Sequence, residues 1–249
     1  MATERLSFIR FYEELNDFLP EDRRKQDITF RVKYNQTVKD AIESLGVPHA
    51  EVDLILVNGR SVDFDYKLKN GNRVSVYPVF ETLDISKVTK LRSRALREVR
   101  FILDVHLGKL CRYLRMLGFD TYYRNDLDDP EIIERSVKES RIILTRDIGI
   151  LKNGVVTHGY WLRSQDSKKQ LGEVIRRFDL GDRIRPFYRC IVCNGTMEKV
   201  DKADIEDRLE NGTKKCFDEF YRCRNCKKIY WEGSHYTSMR EFVDDVLKL

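Results

Sequence analysis

The sequence lacks any long apolar run. None of its 249 residues belongs to a segment of the roughly 20 apolar residues that a membrane-spanning helix needs. Residues 1–5 carry no apolar stretch of the kind found in secretory signals. Hydrophobic residues nevertheless make up 41% of the chain and charged residues 35%, a balance that excludes a disordered chain. We therefore expect a folded, cytoplasmic protein of two or three modules with no membrane segment.

A strong charge imbalance is also absent. The 46 basic residues exceed the 41 acidic ones by only five, so the net charge permits a nucleic-acid partner without requiring one. In the reducing cytoplasm, the six cysteines are expected to be metal ligands or buried thiols rather than disulfides.

Residues 6–80 show the pattern of one small α+β module. Short apolar runs predict strands at residues 6–12, 27–34, 52–57 and 73–78. Thr37 is expected to cap a helix that lies between the second and third strands and ends at Gly46. Asn58-Gly59 is typical of a type I′ hairpin turn. The predicted order is therefore ββαββ.

This order, with its last strand "YPVF", resembles the β-grasp, ubiquitin-like fold and the small sulfur-carrier proteins of thiamine and molybdopterin synthesis. Those carriers act through a free C-terminal Gly-Gly tail, whereas this chain continues as Phe80-Glu81-Thr82-Leu83. The sequence therefore lacks the carrier chemistry. A module for docking or binding a protein partner and a purely structural appendage are equally weighted interpretations.

Two apolar runs in the central stretch lead to aspartates, Asp104 and Asp147. Such runs predict buried strands, and the helical segments between them favour a parallel α/β sheet. Because ligands bind beyond the carboxyl ends of such strands, we expect the two carboxylates to converge. Converging carboxylates need a proton or a cation between them, and oxygen ligands favour Mg²⁺ or Mn²⁺. Capping of the next helix is the alternative role for Asp104.

Basic residues occur at two places around this stretch. Residues 83–99 form a basic linker, interpreted as a solvated surface in preference to a nucleic-acid contact. In the helix predicted over residues 107–117, Lys109, Arg112 and Arg115 recur every three residues, a spacing suited to a row of phosphates. Arg146, beside Asp147, is a further candidate for a phosphate contact.

Two CxxC pairs lie about thirty residues apart in the C-terminal part of the chain. They comprise Cys190 and Cys193, then Cys223 and Cys226. This spacing predicts a four-cysteine zinc ribbon, whose closed tetrahedron leaves no position for a catalytic water. Cys111 and Cys216 fall outside the pattern and are interpreted as small buried hydrophobes or spare thiols.

The segment after the second pair mixes cations and aromatic residues. Lys227, Lys228 and Tyr236 are candidates for contacts with single-stranded RNA. Trp231 is expected to pack mainly in the small core of the ribbon. His235 is interpreted as a surface residue, with a role near a scissile phosphate as the alternative. Residues 240–249 predict a short amphipathic helix.

The runs "RFILDVHLGKLCRYLRMLGFDTYY" and "RIILTRD", the cysteine pairs and "YWEGSHY" together resemble one family. It is the PIN-like RNase domain named after the C-terminal region of the Mut-seven exonuclease, which is often fused to a ubiquitin-like domain. PIN-like nucleases hold divalent metal with acidic residues at strand ends. The resemblance implies that role for Asp104 and Asp147. It also implies a third carboxylate, best matched by Asp129, with Asp126 and Asp128 as competitors. Asp166 could add a fourth, although a helix cap is its favoured role.

The sequence thus predicts an α/β protein with four consecutive parts. They are a ubiquitin-like β-grasp domain (1–82), a basic linker (83–99), a PIN-like RNase domain (100–183), and a zinc ribbon with a C-terminal helix (184–249). The predicted function is metal-dependent hydrolysis of RNA, with structural zinc and catalytic Mg²⁺ or Mn²⁺. A non-catalytic RNA-binding or adaptor protein is the alternative.

Overall fold

The structure is a computed structural model that describes residues 4–78, 89–91 and 99–247. Most of the predicted basic linker and the segment 80–83 lie outside the described residues. The described residues contain no helix that is both long and apolar enough to cross a membrane. The chain divides into two compact units, Met1–Glu98 with Asp129–Trp161, and Val99–Asp128 with Leu162–Leu249. Since each unit takes part of the central stretch, the four-part division of the sequence stays a prediction.

The N-terminal module has the predicted order of strands around one helix. Its elements are β1 (Leu6–Phe11), β2 (Ile28–Arg31), α1 (Val38–Ser44), β3 (Val52–Val57), β4 (Arg60–Ser61) and β5 (Arg73–Pro78). The strands form one sheet in the order β2-β1-β5-β3-β4. Strand β1 is antiparallel to β2 and parallel to β5, which is the β-grasp arrangement. The expected fold of this module is confirmed.

Local signals explain why this module folds as it does. The Thr37 side chain accepts a hydrogen bond from the Asp40 amide, and the Asp40 carboxylate accepts one from the Thr37 amide, so a capping box starts α1. Asn58 and Gly59 both have positive φ, 50° and 78°, as a type I′ turn requires. The apolar faces of α1 and the sheet then close a core of buried residues, each worth about 1.5–3 kcal/mol.

A short 3-10 turn, His49–Glu51, joins this module to the segment 129–161 of the same unit. The fully buried Glu51 carboxylate accepts a hydrogen bond from the Trp161 amide at 2.5 Å. The Nε2 atom of His49 lies 2.9 Å from the Val156 carbonyl oxygen. The Trp161 ring packs against Phe18 with centroids 5.1 Å apart. We call this set of contacts the seam, and it makes the module part of a larger packed body.

The central region contains two parallel strand pairs, β6 with β7 and β8 with β9. The elements in chain order are β6 (Arg100–Leu103), α2 (Gly108–Met116), β7 (Asp120–Tyr122), α3 (Asp129–Glu139), β8 (Ile142–Thr145), α4 (Ile148–Leu151), β9 (Gly159–Trp161) and α5 (Ser167–Arg177). The prediction of a strand over residues 155–162 is wrong in extent, since β9 covers only Gly159–Trp161. The preceding turn continues to Val156, whose amide donates to the Asn153 carbonyl.

The C-terminal part contains a three-stranded antiparallel sheet in the order β10-β11-β12. Its elements are β10 (Met197–Val200), α6 (Asn211–Cys216), β11 (Phe220–Cys223), β12 (Ile229–Trp231) and α7 (Ser234–Val246). We call residues 188–231 the ribbon. Its buried apolar cluster comprises only Ile205, Leu209 and Phe220 among the described residues. The last helix begins at Ser234 rather than at residue 240, because the Gly233 carbonyl already accepts from the Thr237 amide.

Candidate active site and metal centre

The turn Thr145-Arg146-Asp147 follows the fully buried strand β8. The Thr145 hydroxyl accepts a hydrogen bond from the Asp147 amide at 2.8 Å, which bends the chain as the strand ends. Asp147 Oδ1 then accepts from the Gly149 amide at 2.6 Å and caps α4. A Cβ on Gly149 would lie 2.9 Å from that oxygen, so a larger residue there would displace the Asp147 carboxylate from this position. Asp147 remains exposed, and a carboxylate has further lone pairs for a ligand.

Asp104 occupies the corresponding place after β6, in the other unit. A 3-10 turn, Val105–Leu107, follows it, and the Asp104 side chain makes no capping hydrogen bond to that turn. The Tyr123 hydroxyl donates to the Val105 carbonyl at 2.8 Å. A Cβ on Gly108 would lie 2.7 Å from the same hydroxyl. Gly108 thus leaves room for the Tyr123 hydroxyl. Because Asp104 makes no capping bond, the capping alternative for Asp104 is not supported.

The other acidic candidates lie in different local surroundings. Asp126 accepts a hydrogen bond from Arg124 Nε at 2.9 Å, and this bond lowers the pKa of Asp126. Asp128 is exposed in the same loop, and Asp129 is exposed in the first turn of α3. Asp166 accepts from the amides of Lys168 and Lys169, both at 3.0 Å, and caps α5 as favoured.

The predicted phosphate contacts are not equally accessible. Lys109, Arg112 and Arg146 are exposed. Arg115 is only 5% exposed, and its guanidinium donates to the carbonyls of Thr121 at 3.0 Å and Val192 at 2.7 Å. A buried guanidinium bound to carbonyl oxygens is a structural group. Arg115 therefore joins α2 to the first cysteine pair, and we remove it from the predicted RNA contacts.

The structure brings the four cysteines of the CxxC pairs together. Their sulfur atoms all lie within 4.8 Å of one another, with Cys190 and Cys226 separated by 3.7 Å and Cys193 and Cys223 by 3.4 Å. A tetrahedron with metal–sulfur bonds of about 2.3 Å has edges of about 3.8 Å. The donor set therefore fits a tetrahedral ion such as zinc.

The two cysteine pairs have matching backbone geometry. The residue after each second cysteine, Asn194 or Lys227, has positive φ, 69° and 59° respectively. A Cβ on Gly195 would lie 2.8 Å from the Cys223 sulfur, so the first turn can approach the second only with glycine there. Burial would raise the pKa of Cys193, but hydrogen bonds from the Gly195 amide and the neighbouring thiols lower that pKa to about 7.

Asn194 also attaches the ribbon to strand β7. Its amide group accepts from the Thr121 amide at 3.0 Å and donates to Asp120 at 2.9 Å. Asp120 in turn pairs with Arg189 at 3.2 Å. These contacts continue the β7 hydrogen-bonding edge into the first cysteine turn.

The segment after the second cysteine pair is split between core and surface. Lys227, Lys228 and His235 are exposed, and Tyr236 is half-buried. Trp231 contacts the core ring of Phe220 with centroids 6.5 Å apart. However, 38% of its surface remains exposed, so Trp231 lies at the margin of the core rather than within it.

Two models of known protein families match this chain. The model of the Mut7-C RNAse domain matches residues 99–243, which is more than half of the chain. The chain belongs to the Mut7-C RNAse domain family. The model of the Mut7-C ubiquitin domain matches residues 5–84. The resemblance drawn from the motifs and the predicted fold class are confirmed.

Other comparisons add little to this Mut7-C assignment. A search of the curated proteins gives no significant match. Among solved structures, the crystal structure of H. volcanii small archaeal modifier protein 1 is 14% identical, with a TM-score of 0.25. The match covers 30% of this chain and 99% of that one.

Within this Mut7-C chain, sequence reasoning missed several residues that shape the site. Thr145 sets the turn before Asp147, and Asn194 attaches the ribbon to β7. The only sequence signals for these two residues are the motif Thr145-Arg146-Asp147 and the Asn194-Gly195 pair that follows the first CxxC motif. Asp104 lies in one compact unit, and Asp129 and Asp147 in the other. That their carboxylates converge stays a prediction.

Proposed function

We propose that this protein is a divalent-metal-dependent ribonuclease that hydrolyses RNA phosphodiester bonds. The observation that carries the proposal is the match to the Mut7-C RNAse domain over residues 99–243. It is supported by two aspartates, Asp104 and Asp147, each following a strand of a parallel pair. In parallel α/β sheets, ligands bind beyond such strand ends.

Asp104, Asp147 and Asp129 are the proposed ligands of Mg²⁺ or Mn²⁺, since hard cations prefer carboxylate oxygens. Bound there, the ion would supply Lewis-acid stabilisation and a water of lowered pKa. The chain itself orients the carboxylates: the Thr145 and Gly149 bonds fix Asp147. Asp129 is the proposed third ligand because the family resemblance matches it best, with Asp126 and Asp128 as its competitors.

The exposed cations near these aspartates are the proposed phosphate contacts. Lys109 and Arg112 lie on α2, which follows Asp104, and Arg146 directly precedes Asp147. On the ribbon, Lys227, Lys228 and Tyr236 are proposed to extend the contact with single-stranded RNA. The metal of the four cysteines is proposed to be zinc with a structural role, retained in a reducing cytoplasm. The β-grasp module, which matches the Mut7-C ubiquitin domain, is proposed to dock a protein partner.

The first experiment measures cleavage of end-labelled single-stranded and structured RNA. Mg²⁺, Mn²⁺ or Ca²⁺ is added to zinc-loaded protein, because a strong chelator would also strip the cysteines. We expect cleavage with Mg²⁺ or Mn²⁺ and its loss in the double variant Asp104→Asn, Asp147→Asn. An Asp-to-Asn change at one ligand is expected to reduce the rate by at least about 100-fold, as for removal of a charged catalytic group.

Asp65→Asn is the matched control, since it removes an exposed carboxylate of the β-grasp module. Single changes at Asp126, Asp128 and Asp129 identify the third ligand, and Asp129→Asn is expected to have the largest effect of the three. Cleavage that survives in the folded double variant would contradict the proposal.

A second candidate function is RNA binding without turnover. It is favoured by the aromatic and basic residues of the ribbon, which need no acidic site to hold RNA. The same experiment separates the two, because RNA bound but never cut with any of the metals would leave binding as the function.

A further inference from the structure

A groove of about 450 Å³ lies between the ribbon sheet and helix α7. Its aromatic lining residues are Phe187, Tyr188, Tyr221, Tyr230, Trp231 and Tyr236. We call it the aromatic groove. All of its lining residues belong to one compact unit, and its volume falls within the roughly 300–1,000 Å³ usual for ligand sites.

The two faces of the ribbon sheet explain how the groove arises. On one face, Phe220 is fully buried against Ile205 and Leu209. On the other, the strand register places Lys199 opposite Tyr221, and Tyr221 opposite Tyr230. The solvent-facing side of an antiparallel sheet is ordinarily polar. A cross-strand row of two tyrosines and a lysine here presents flat rings beside a cation.

Helix α7 and the segment before the first cysteine pair supply the other wall. Tyr236 packs on Phe187 with ring centroids 4.8 Å apart, and Tyr188 is 45% exposed. The hydroxyl of Tyr230 lies 3.0 Å from the Cys190 sulfur, so the metal centre fixes one ring of the groove. Aromatic faces held in this way lose little conformational entropy when a planar ligand stacks on them.

Charge indicates the kind of ligand. Three exposed cations, Arg185, Lys199 and Arg240, line the groove together with one carboxylate, Glu232, whereas the lining residue Arg189 already pairs with Asp120. Lys199 and Arg240 pair with Glu219 and Asp244 in exposed ion pairs. Such pairs contribute little to stability, so a phosphate can replace either acid at small cost. Flat rings with cations at the margin suit bases that carry their own anionic backbone.

We propose that the aromatic groove binds unpaired bases of single-stranded RNA, with the bases against its tyrosines and the flanking phosphates at its cations. The proposal rests on the proposed ribonuclease function, because it names the part of the RNA substrate that the ribbon holds. A base inside a duplex is already stacked on its neighbours, so the groove selects single-stranded segments. Lys227 and Lys228, named from the sequence, do not line the groove. Tyr236 does.

The test measures binding of fluorescent oligouridine and oligoadenosine of 12 nucleotides to the full zinc-loaded chain, by anisotropy, without added Mg²⁺ or Mn²⁺. The variants are Tyr188→Ala and Tyr236→Leu, the second of which keeps apolar volume. Each is expected to weaken binding about tenfold, in keeping with the usual value of one base–aromatic stack. Tyr34→Ala, which removes an exposed tyrosine of the other unit, is the matched control and should change the affinity by less than about twofold.

A second measurement does not depend on variants. Ultraviolet cross-linking of oligouridine to the wild-type chain, mapped by mass spectrometry, should mark peptides within residues 185–199 and 221–240. Groove variants with unchanged zinc content that bind as wild type would overturn the proposal, and so would equal affinity for duplex RNA. Base binding in the groove without cleavage in any metal would refute the nuclease and leave the groove standing. If the groove variants bind RNA normally while the protein cleaves RNA, the groove proposal is refuted and the nuclease proposal stands.

Discussion

The two terminal modules of this chain are stabilised by different physical means. In the described part of the β-grasp module, sixteen buried apolar residues form its own core. The ribbon buries three in its apolar cluster, among the residues that the structure describes. At about 1.5–3 kcal/mol for each fully buried large side chain, three residues cannot offset the entropy of ordering some forty residues of chain. A metal ion bound by the four cysteine thiols, as proposed above, would supply the stability that a larger core gives the first module.

The modules also differ in how they are attached. The β-grasp module uses the seam, where the buried acceptor Glu51 meets the last strand of its unit. The ribbon is attached instead by the buried donor Arg115, which binds the Val192 carbonyl, and by Asn194, which accepts from the Thr121 amide of β7. In both cases, a polar side chain hydrogen-bonds to the backbone of a segment far away along the chain. Attachment is thus hydrogen-bonded in both modules, while internal stability comes from an apolar core in one and is proposed to come from a bound metal in the other.

The largest expected effect comes from removing the metal. Chelation, or Cys223→Ser, is expected to unfold the ribbon, because zinc binding to such sites contributes about 10–16 kcal/mol. Hydrogen exchange followed by mass spectrometry should show lost protection in β10–β12 and unchanged protection in β1–β5. Cys216→Ser changes an exposed thiol outside the cluster and should leave both modules protected. If β10–β12 stay protected without metal, the ribbon does not depend on a metal for its stability.

An intermediate effect is expected at the seam. Glu51→Ala leaves the Trp161 amide without its carboxylate acceptor in a buried place, and this should lower the free energy of unfolding by about 1–3 kcal/mol. Glu51→Gln keeps an oxygen acceptor and should cost less. Urea unfolding measures both, with Glu21→Ala as the control at an exposed acidic residue. A loss for Glu51→Ala no greater than for Glu21→Ala would show that the seam does not stabilise its unit.

The smallest effect is a pH dependence at the same seam. Burial, followed by the charge of Lys39, lowers the pKa of His49 and outweighs its bonds to Glu43 and the Val156 carbonyl, which act to raise it. The unfolded chain therefore binds the proton at a higher pH, near 6.5. Between the two pKa values the unfolded state holds more protons, so the free energy of unfolding falls as the pH is lowered.

His49→Gln should reduce this dependence between pH 7.5 and 5.5, measured by urea unfolding across that range. His106→Gln removes an exposed histidine and should leave the slope as in wild type. If the free energy of unfolding depends on pH in the same way in His49→Gln as in wild type, groups other than His49 cause that dependence.

Much of the local structure could be predicted because its causes are local. The Thr37 cap, the Asn58-Gly59 turn, the Asp166 cap and the CxxC pairs all depend on residues a few positions apart. Element boundaries were less accurate at β9 and α7, where a turn and an early backbone hydrogen bond displaced the predicted starts.

Arg115 shows the limit of periodicity as evidence. Its spacing with Lys109 and Arg112 placed it on one helical face, but carbonyl groups more than seventy residues further along the chain occupy its guanidinium. No pattern within α2 contains that information. The same holds for Asn194, whose partner Thr121 lies 73 residues earlier.

The sequence by itself determined the family, the β-grasp order, the four clustered cysteines and the aspartates at the ends of apolar runs, because motif spacing and short-range hydrogen bonding encode all of these. Only the tertiary structure decided that Glu51 is a buried acceptor, that Arg115 is structural, and that six aromatic side chains from four separate segments line one groove. Burial and the convergence of distant segments depend on how the whole chain packs, and a local pattern of residues does not specify that packing.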